Sequence, residues 1–453
     1  MRCCPELGQR NRKISKPARI SRKCLGRKHC SFGAWLGDSE VRLKYGLGSR
    51  RCQSSERPCT SGIYPRQRGK SSSHHRLWLA VQHTLKITFF GLTVSSSWGN
   101  GHATPYRALF RALARRGHQI TFYEQDVEYY ALRRDFTHCD FCRLELYSRW
   151  EDIRAQAVRE AAESDAIVVG SYCPGGARIS DEILALDGPL RVFYDMDAPI
   201  TLARLAHGDG DIDYLRGDQI CGFDLYLSFT GGHSLAELRQ RWGARRVEPL
   251  YGCVDPDLHF RTDFAPIYGC DLSYMGTFAP DRQPLLEELF LEPARQMRSR
   301  VFLLAGALYP WQWQWPANLR RFDHIAPGQH AALYSSSRAT LNITRREMAA
   351  SGWCPSGRLF EAAACGAPIL SDWWEGLDSF FTPQEEILIV KSAAEVMAAL
   401  RQNHGELTRM AARAAERTFS EHTGEARAIE LLKHFEAARS REVTVPLAQE
   451  MAA

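Results

Sequence analysis

From Lys86 onward the chain alternates short apolar runs with helix-length amphipathic segments, and it does so in two series separated by one break. The first series opens with the run 87–92 (ITFFGL), a polar glycine-containing loop at 93–102, a helical segment at 104–116 closed by Gly117, and a second apolar run at 119–123. A strand, a helix and a strand in such close succession favour a parallel pair with a right-handed crossover. Further apolar runs at 166–170, 190–194 and 225–229, with helical segments at 150–164 and 179–185, extend the pattern. Pro256, Pro266 and several turn-formers interrupt it and read as a linker. The alternation then restarts, with strands at 272–275, 301–305, 339–343, 368–370 and 387–390 and helices at 284–298, 329–335, 393–401 and from 407 to about 438. The expected architecture is α/β: two Rossmann-like doubly wound domains, 86–250 and 269–437, facing a cleft across a linker at 251–268, with a tail at 438–453.

The net charge of +6 hides two different segments. Residues 1–85 hold 19 of the 58 Lys and Arg but 4 of the 52 Asp and Glu, which leaves 39 against 48, a balance of −9, for 86–453. The folded part is therefore mildly acidic, and nothing in it argues for a nucleic-acid partner. The first 85 residues are rich in Arg, Ser, Gly and Cys without helical or strand periodicity, and read as a disordered basic tail. A translated upstream segment before a true beginning near Leu85 is the favoured account; an organelle transit peptide or a nucleic-acid-binding tail compete with it.

Six of the 14 cysteines fall in that tail, and the pair Cys139 and Cys142 has CxxC spacing with neither a second pair nor a neighbouring histidine. Ordinary reduced thiols in a cytoplasmic protein, and no metal site, are the expectation. No apolar run approaches the roughly 18 residues that span a bilayer, and no apolar signal-peptide core stands near Met1.

The candidate chemistry lies where strands end. In PSGRLFEAAACGAPILSDWWEGLDSFF, residues 355–381, Ser356 can cap a helix closed by Gly366, whose apolar side carries Leu359, Phe360, Ala363 and Ala364. The N–H groups at the Ser356 end suit an anion such as a diphosphate, with Arg358 adding charge, and Glu361 one turn on can accept from ribose hydroxyls. An ordinary amphipathic helix with a solvated Glu361 fits the same letters. In the first series the loop 95–104 (SSSWGNGHAT) offers Gly99, Asn100 and Gly101 for close approach of a substrate, and His102 as a base near neutral pH or as a structural cap.

Asp195 and Asp197, at the end of the run 190–194, can accept from hydroxyls or orient a histidine, or simply form a turn with Pro199. TGGH at 230–233 reads as a glycine turn facing the cleft, or simply as a turn. In the second series Gly276 and Thr277 can meet phosphate through the backbone, and Arg345 with Arg346 can neutralise a diphosphate or stand in solvent. Trp311, Trp313 and Trp315 can stack on a sugar or base, or pack on the domain.

Two Rossmann halves, WGNGHATPYRALFRALARRGH after the first strand, and RLFEAAACGAPIL in the second half together resemble GT-B glycosyltransferases of the group-1 type. More narrowly, LYGCVDPDLHF, YSSSRATLNITRREMAASGWCPSGRLFEAAACGAPILSDWWEGL and EHTGEARAIELL resemble the CgeB/YkvP-like subfamily, over roughly 86–437. The resemblance implies a metal-independent transferase moving a sugar from a nucleotide diphosphate-sugar donor to a hydroxyl acceptor, with no further cofactor. It implies that Glu361 binds the donor ribose, that the residues around Ser356 and Arg358 receive the diphosphate, and that His102 faces the acceptor, as general base if the reaction inverts. Glycan, lipid or small-molecule acceptors are all compatible. Group-1 enzymes often carry a second acid eight positions before the ribose-binding one, where this chain has Trp353. A nucleotide-sugar epimerase and a non-catalytic, coat-associated binding protein are the alternatives.

Overall fold

The computed structural model describes residues 84–440 except 137–138, 208–211 and 311. The expected tails at 1–85 and 438–453 thus lie, but for their inner ends, outside the described residues. Two wholly parallel sheets carry the fold. The first contains β1 (Lys86–Gly91), β2 (Gln119–Gln125), β3 (Arg143–Tyr147), β4 (Ala166–Gly170), β5 (Leu190–Asp195), β6 (Leu225–Ser228) and β7 (Val247–Pro249), in the order β3-β2-β1-β4-β5-β6-β7. The second contains β8 (Leu272–Met275), β9 (Phe302–Ala305), β10 (Leu319–Phe322), β11 (Thr340–Asn342), β12 (Ile369–Ser371) and β13 (Leu388–Ile389), in the order β10-β9-β8-β11-β12-β13. Both orders reverse direction beside their first strand, and that reversal opens a crevice at the carboxyl edge.

The central strands are apolar without alternation because helices cover both faces, as in AIVVG of β4, every residue of which is buried. Ile87 lies between Ile120 and Ala166 in register, so the first sheet's core grows from its middle outward. Strands β3, β7 and β10 are at edges and read RLELY, VEP and LRRF; their polar composition is why the apolar pattern does not disclose them.

The segment 250–255 leaves the first half, and 422–424 returns beside it: Val254 donates to His422 O at 2.9 Å, and Gly424 donates to Val254 O at 2.8 Å. The last helix, Gly424–Arg439, then packs on the first half, where Ala428, Leu431 and Phe435 share a core with Phe89, Phe110 and Phe122. The apolar stripe of this helix matches the helix Ala103–Arg115, so it belongs to the first domain although it follows the second in sequence.

Phe435→Ala should destabilise the protein by about 3–5 kcal/mol in urea unfolding, as a large buried ring is replaced by a cavity. Hydrogen exchange should show the loss first in Ala103–Arg115 and β1, with the second sheet retaining its protection.

Candidate functional site

The two carboxyl edges face one another across a cleft of ≈ 670 Å³, lined from one side by Gly99 to His102, Tyr172 and Asp197, and from the other by Gly276, Thr277, Arg345, Arg358 and Glu361. A volume of several hundred Å³ suits a small-molecule ligand.

On the first wall, the loop after β1 hangs on Glu124, the penultimate residue of β2. Its carboxylate is fully buried and accepts from Thr93 Oγ1 at 2.9 Å, Val94 N at 2.7 Å, Ser95 N at 3.0 Å and the Ser95 hydroxyl. Asp135 holds the next residues, accepting from Ser97 N at 3.1 Å and Ser97 Oγ at 2.6 Å while paired with Arg107 at 2.7 Å. Asn100 serves the loop itself: its Oδ1 accepts from His102 N at 3.1 Å and Ala103 N at 3.2 Å, which starts the helix. Gly99, at φ +64, makes the turn just before it.

His102 is thereby set with Nε2 3.1 Å from Asp197 Oδ2, its Nδ1 enclosed without a hydrogen-bond partner among the described residues. Tyr172 stands edge-on to its ring at 5.7 Å and adopts φ +58, an uncommon conformation for a bulky residue and one that places the phenol on the cleft. Burial, with Asp197 and Asp195 nearby, pushes that phenol up to about 12.

Asp195 does not share this wall. It is fully buried, accepts from Tyr226 OH at 2.8 Å and from Asp197 N at 2.9 Å, and braces the turn that presents Asp197. The carboxylate brought to His102 is Asp197, two residues on, because the chain has by then left the strand for the helix Ala198–His207. Burial lifts Asp195 to about 6 in spite of its hydrogen bonds.

On the second wall the helix Gly357–Ala364 begins after Ser356 and ends before Gly366, which takes φ +68. Ser356 precedes the helix in extended backbone, but its hydroxyl makes no cap and accepts from Arg358 Nη1 at 3.3 Å. Arg358 also donates to Asn342 Oδ1 at 2.9 Å and to the carbonyl of Met275, and lies over the Tyr274 ring, so its guanidinium is fixed where the ends of β8 and β11 converge. Arg345 faces the cleft beside Asp281, at 3.5 Å. Its loop is held by Asp372, which accepts from Thr344 N at 3.1 Å and Thr344 Oγ1 at 3.1 Å. Arg282, a further cation on this wall, carries no motif in the sequence by which to find it.

Glu361 is nearly buried. Its Oε2 lies 2.9 Å from His330 Nδ1, and His330 Nε2 lies 3.1 Å from Ile325 O. Burial works against both charges; the pairing outweighs it, raising His330 and, with His259 and Arg358, lowering Glu361 relative to their ordinary values. His259 completes a set of three possible metal ligands whose donor atoms lie within 4.8 Å of one another.

Trp353 lies at the boundary of the halves. Its carbonyl accepts from Gly231 N at 2.9 Å, its N–H donates to Glu375 O at 2.7 Å, and its indole lies so close on Gly232 and Gly376 that a side chain at either would meet the ring. At φ +42 the residue is strained, and Ser234 bonded to Ser351 at 2.7 Å reinforces the contact. The turn at Gly231 and Gly232 is the socket for this tryptophan. Trp313 and Trp315 pack with Phe278 and Tyr309 on the second domain's core; Trp311 lies outside the described residues.

Two facing Rossmann-like halves with a cleft at their carboxyl edges define the GT-B fold. Residues 282–433 match the family model described as glycosyl transferase-like. The fold is similar to sucrose-phosphate synthase from Thermosynechococcus elongatus (13% identity, 79% of this chain and 99% of that one, TM-score 0.58). It is also similar to an alpha-glucosyltransferase in complex with UDP (10%, 78% and 100%, 0.58) and to Anabaena HepE in complex with UDP-glucose (12%, 78% and 100%, 0.55). The alpha-glucosyltransferase has also been solved with UDP-glucose and DNA. No curated protein matches the chain in sequence. Among the described residues no helix is long and apolar enough to cross a membrane.

The Asp195 carboxyl binds its proton more tightly folded than unfolded, since its value rises from 3.8 to about 6. The stability it contributes is therefore present below pH 3.8 and lost as pH rises through about 6. Asp195→Asn lacks this loss, so its stability relative to wild type should improve by up to about 3 kcal/mol between pH 4 and 7. Urea unfolding at pH 4, 5, 6 and 7 measures the difference; a flat profile would contradict the assignment.

Proposed function

We propose that the protein is a glycosyltransferase that moves a sugar from a nucleoside diphosphate-sugar donor to a hydroxyl acceptor. The observation that carries this reading is the placement of Arg358, Arg345 and Glu361 on one wall of a single cleft and the His102–Asp197 pair on the other. Arg345, Arg358 and the first-turn N–H groups of Gly357–Ala364 supply positive potential for the diphosphate, and Glu361 offers its carboxylate to the ribose. The guanidinium groups can stabilise the charge that develops as the diphosphate departs, so the reading needs no metal at the reacting centre.

His102 takes the acceptor proton at Nδ1, the nitrogen left free by Asp197 and the one that must open to the acceptor, while Asp197 accepts from Nε2–H and stabilises the imidazole once charged. Asp195 acts behind Asp197 and has no contact with substrate in this scheme. Support comes from the glycosyl transferase-like match over 282–433 and from fold neighbours that hold UDP or UDP-glucose. Within this reading the chain is of the CgeB-like kind and works in the cytoplasm. The acidic balance of 86–453 favours a glycan, lipid or small-molecule acceptor over nucleic acid.

Calorimetric titration of the full chain with nucleoside diphosphates should detect binding, and Glu361→Ala should weaken it by about tenfold or more, the loss expected for a hydrogen bond to a charged group. His102→Ala should leave that binding intact and lower the transfer rate by about 10²–10⁴-fold. Transfer at the wild-type rate by the His102 variant would refute its role. Release of an altered free nucleotide sugar without any acceptor would replace the transferase reading with an epimerase.

A further inference from the structure

Glu361 is gripped from behind. Of its two oxygens, Oε2 is engaged by His330 Nδ1 at 2.9 Å, and Oε1 takes no bond from a side chain among the described residues. His330 is itself pinned, its Nε2 facing the carbonyl of Ile325 at 3.1 Å. The His259 ring, wholly buried, stands 6.4 Å from that of His330, with Nδ1 against the Asp255 backbone and Nε2 enclosed without a hydrogen-bond partner among the described residues. The imidazole that holds Glu361 is thus enclosed on the side away from the cleft, while both His330 and Glu361 line the cleft itself.

A glutamate on a helix has several side-chain torsions to choose from, and a buried partner on one oxygen selects among them. The second oxygen is then presented in one orientation to whatever occupies the cleft. Where a site is built to accept from a hydroxyl, a ligand lacking that hydroxyl leaves a charged, desolvated oxygen unpaired, and the penalty is far larger than the loss of the contact area.

We propose that His330 is a positioning residue that fixes Glu361 for the 2′-hydroxyl of the donor ribose, and so makes the site select ribonucleoside diphosphates over their 2′-deoxy counterparts. This rests on the nucleotide-sugar reading above. His259 supports it by filling the space behind the His330 ring.

The test uses the full chain, titrated calorimetrically with UDP, ADP, GDP and CDP and with the four corresponding 2′-deoxynucleoside diphosphates. Wild type should bind its preferred ribonucleotide about tenfold or more tightly than the deoxy form, as expected when a charged acceptor loses its donor. His330→Leu should reduce that ratio to within about threefold, because an unheld carboxylate spreads over several rotamers, while its circular dichroism and its affinity for inorganic pyrophosphate stay as in wild type. His330→Asn places an amide N–H close to the position of Nδ1 and should restore part of the ratio. If His330→Leu fails to fold, His330→Gln, whose amide sits one bond further out, should show the reduced ratio beside the partly restored Asn variant.

A wild-type ratio near unity, or an unchanged ratio in a folded His330→Leu or His330→Gln protein, overturns the proposal. Stoichiometric zinc in the purified wild type by atomic spectroscopy overturns it as well, since the triad would then be a metal site. Failure of wild type to bind any of the eight nucleotides is a different result: it overturns the nucleotide-sugar reading itself.

Discussion

A carboxylate taken out of water persists only where hydrogen-bond donors replace its hydration, and each wall of the cleft is built around that requirement. Glu124, near the end of β2, binds the loop that follows β1; Asp372, just beyond β12, binds the loop that follows β11. In both halves an acid on one strand thus holds the loop of the strand next to it. The loops cannot move apart from the sheets without exposing several buried donors together, and these loops present His102 on one wall and Arg345 on the other. Burial lifts Asp372 to about 6, a sign of how far this carboxylate has been drawn from solvent.

The parallel strands of both centres were legible because strands covered on both faces must be apolar throughout, as ITFFGL and AIVVG are. The edge strands were not, for RLELY and LRRF have one side in solvent and resemble loops. The Glu361 helix was legible from its small residues and its closing glycine. The partner of Glu361 was not, since His330 stands 31 residues away in a stretch with no motif, and contact across that distance is a product of packing. Asp195 and Asp197 were both visible at a strand end, but which one turns to the histidine depends on where the strand stops and the helix begins. The role of Glu124 was hidden for the opposite reason: an acid inside the run QITFYEQ looks like an exposed position in an alternating strand, whereas four donors from another segment make it an interior one.

Trp353 shows a substitution with a structural purpose. At the position where group-1 enzymes often have a second acid, this chain places an indole across the boundary between halves, seated on glycines that leave no room for anything else. The contact ties Gly231 of the first half to the loop leading into the Glu361 helix. Under the proposed reading, the sugar's own hydroxyls must find partners other than an acid at that position, and Tyr172, held on the cleft by its unusual backbone conformation, is a nearby group with a hydroxyl to offer.

The return of the last helix to the first half has a consequence for how the molecule is made. Arg116 and Glu425, which pair across this junction, are separated by 309 residues of chain. During synthesis the first half emerges before the second, yet the helix that covers Phe89 and Phe110 follows the whole second half in the chain. Its apolar flank must remain open until the whole second half has appeared and had time to fold. The second half is therefore the unit able to mature first, as an insert between two neighbouring crossings, and the first half is completed around it.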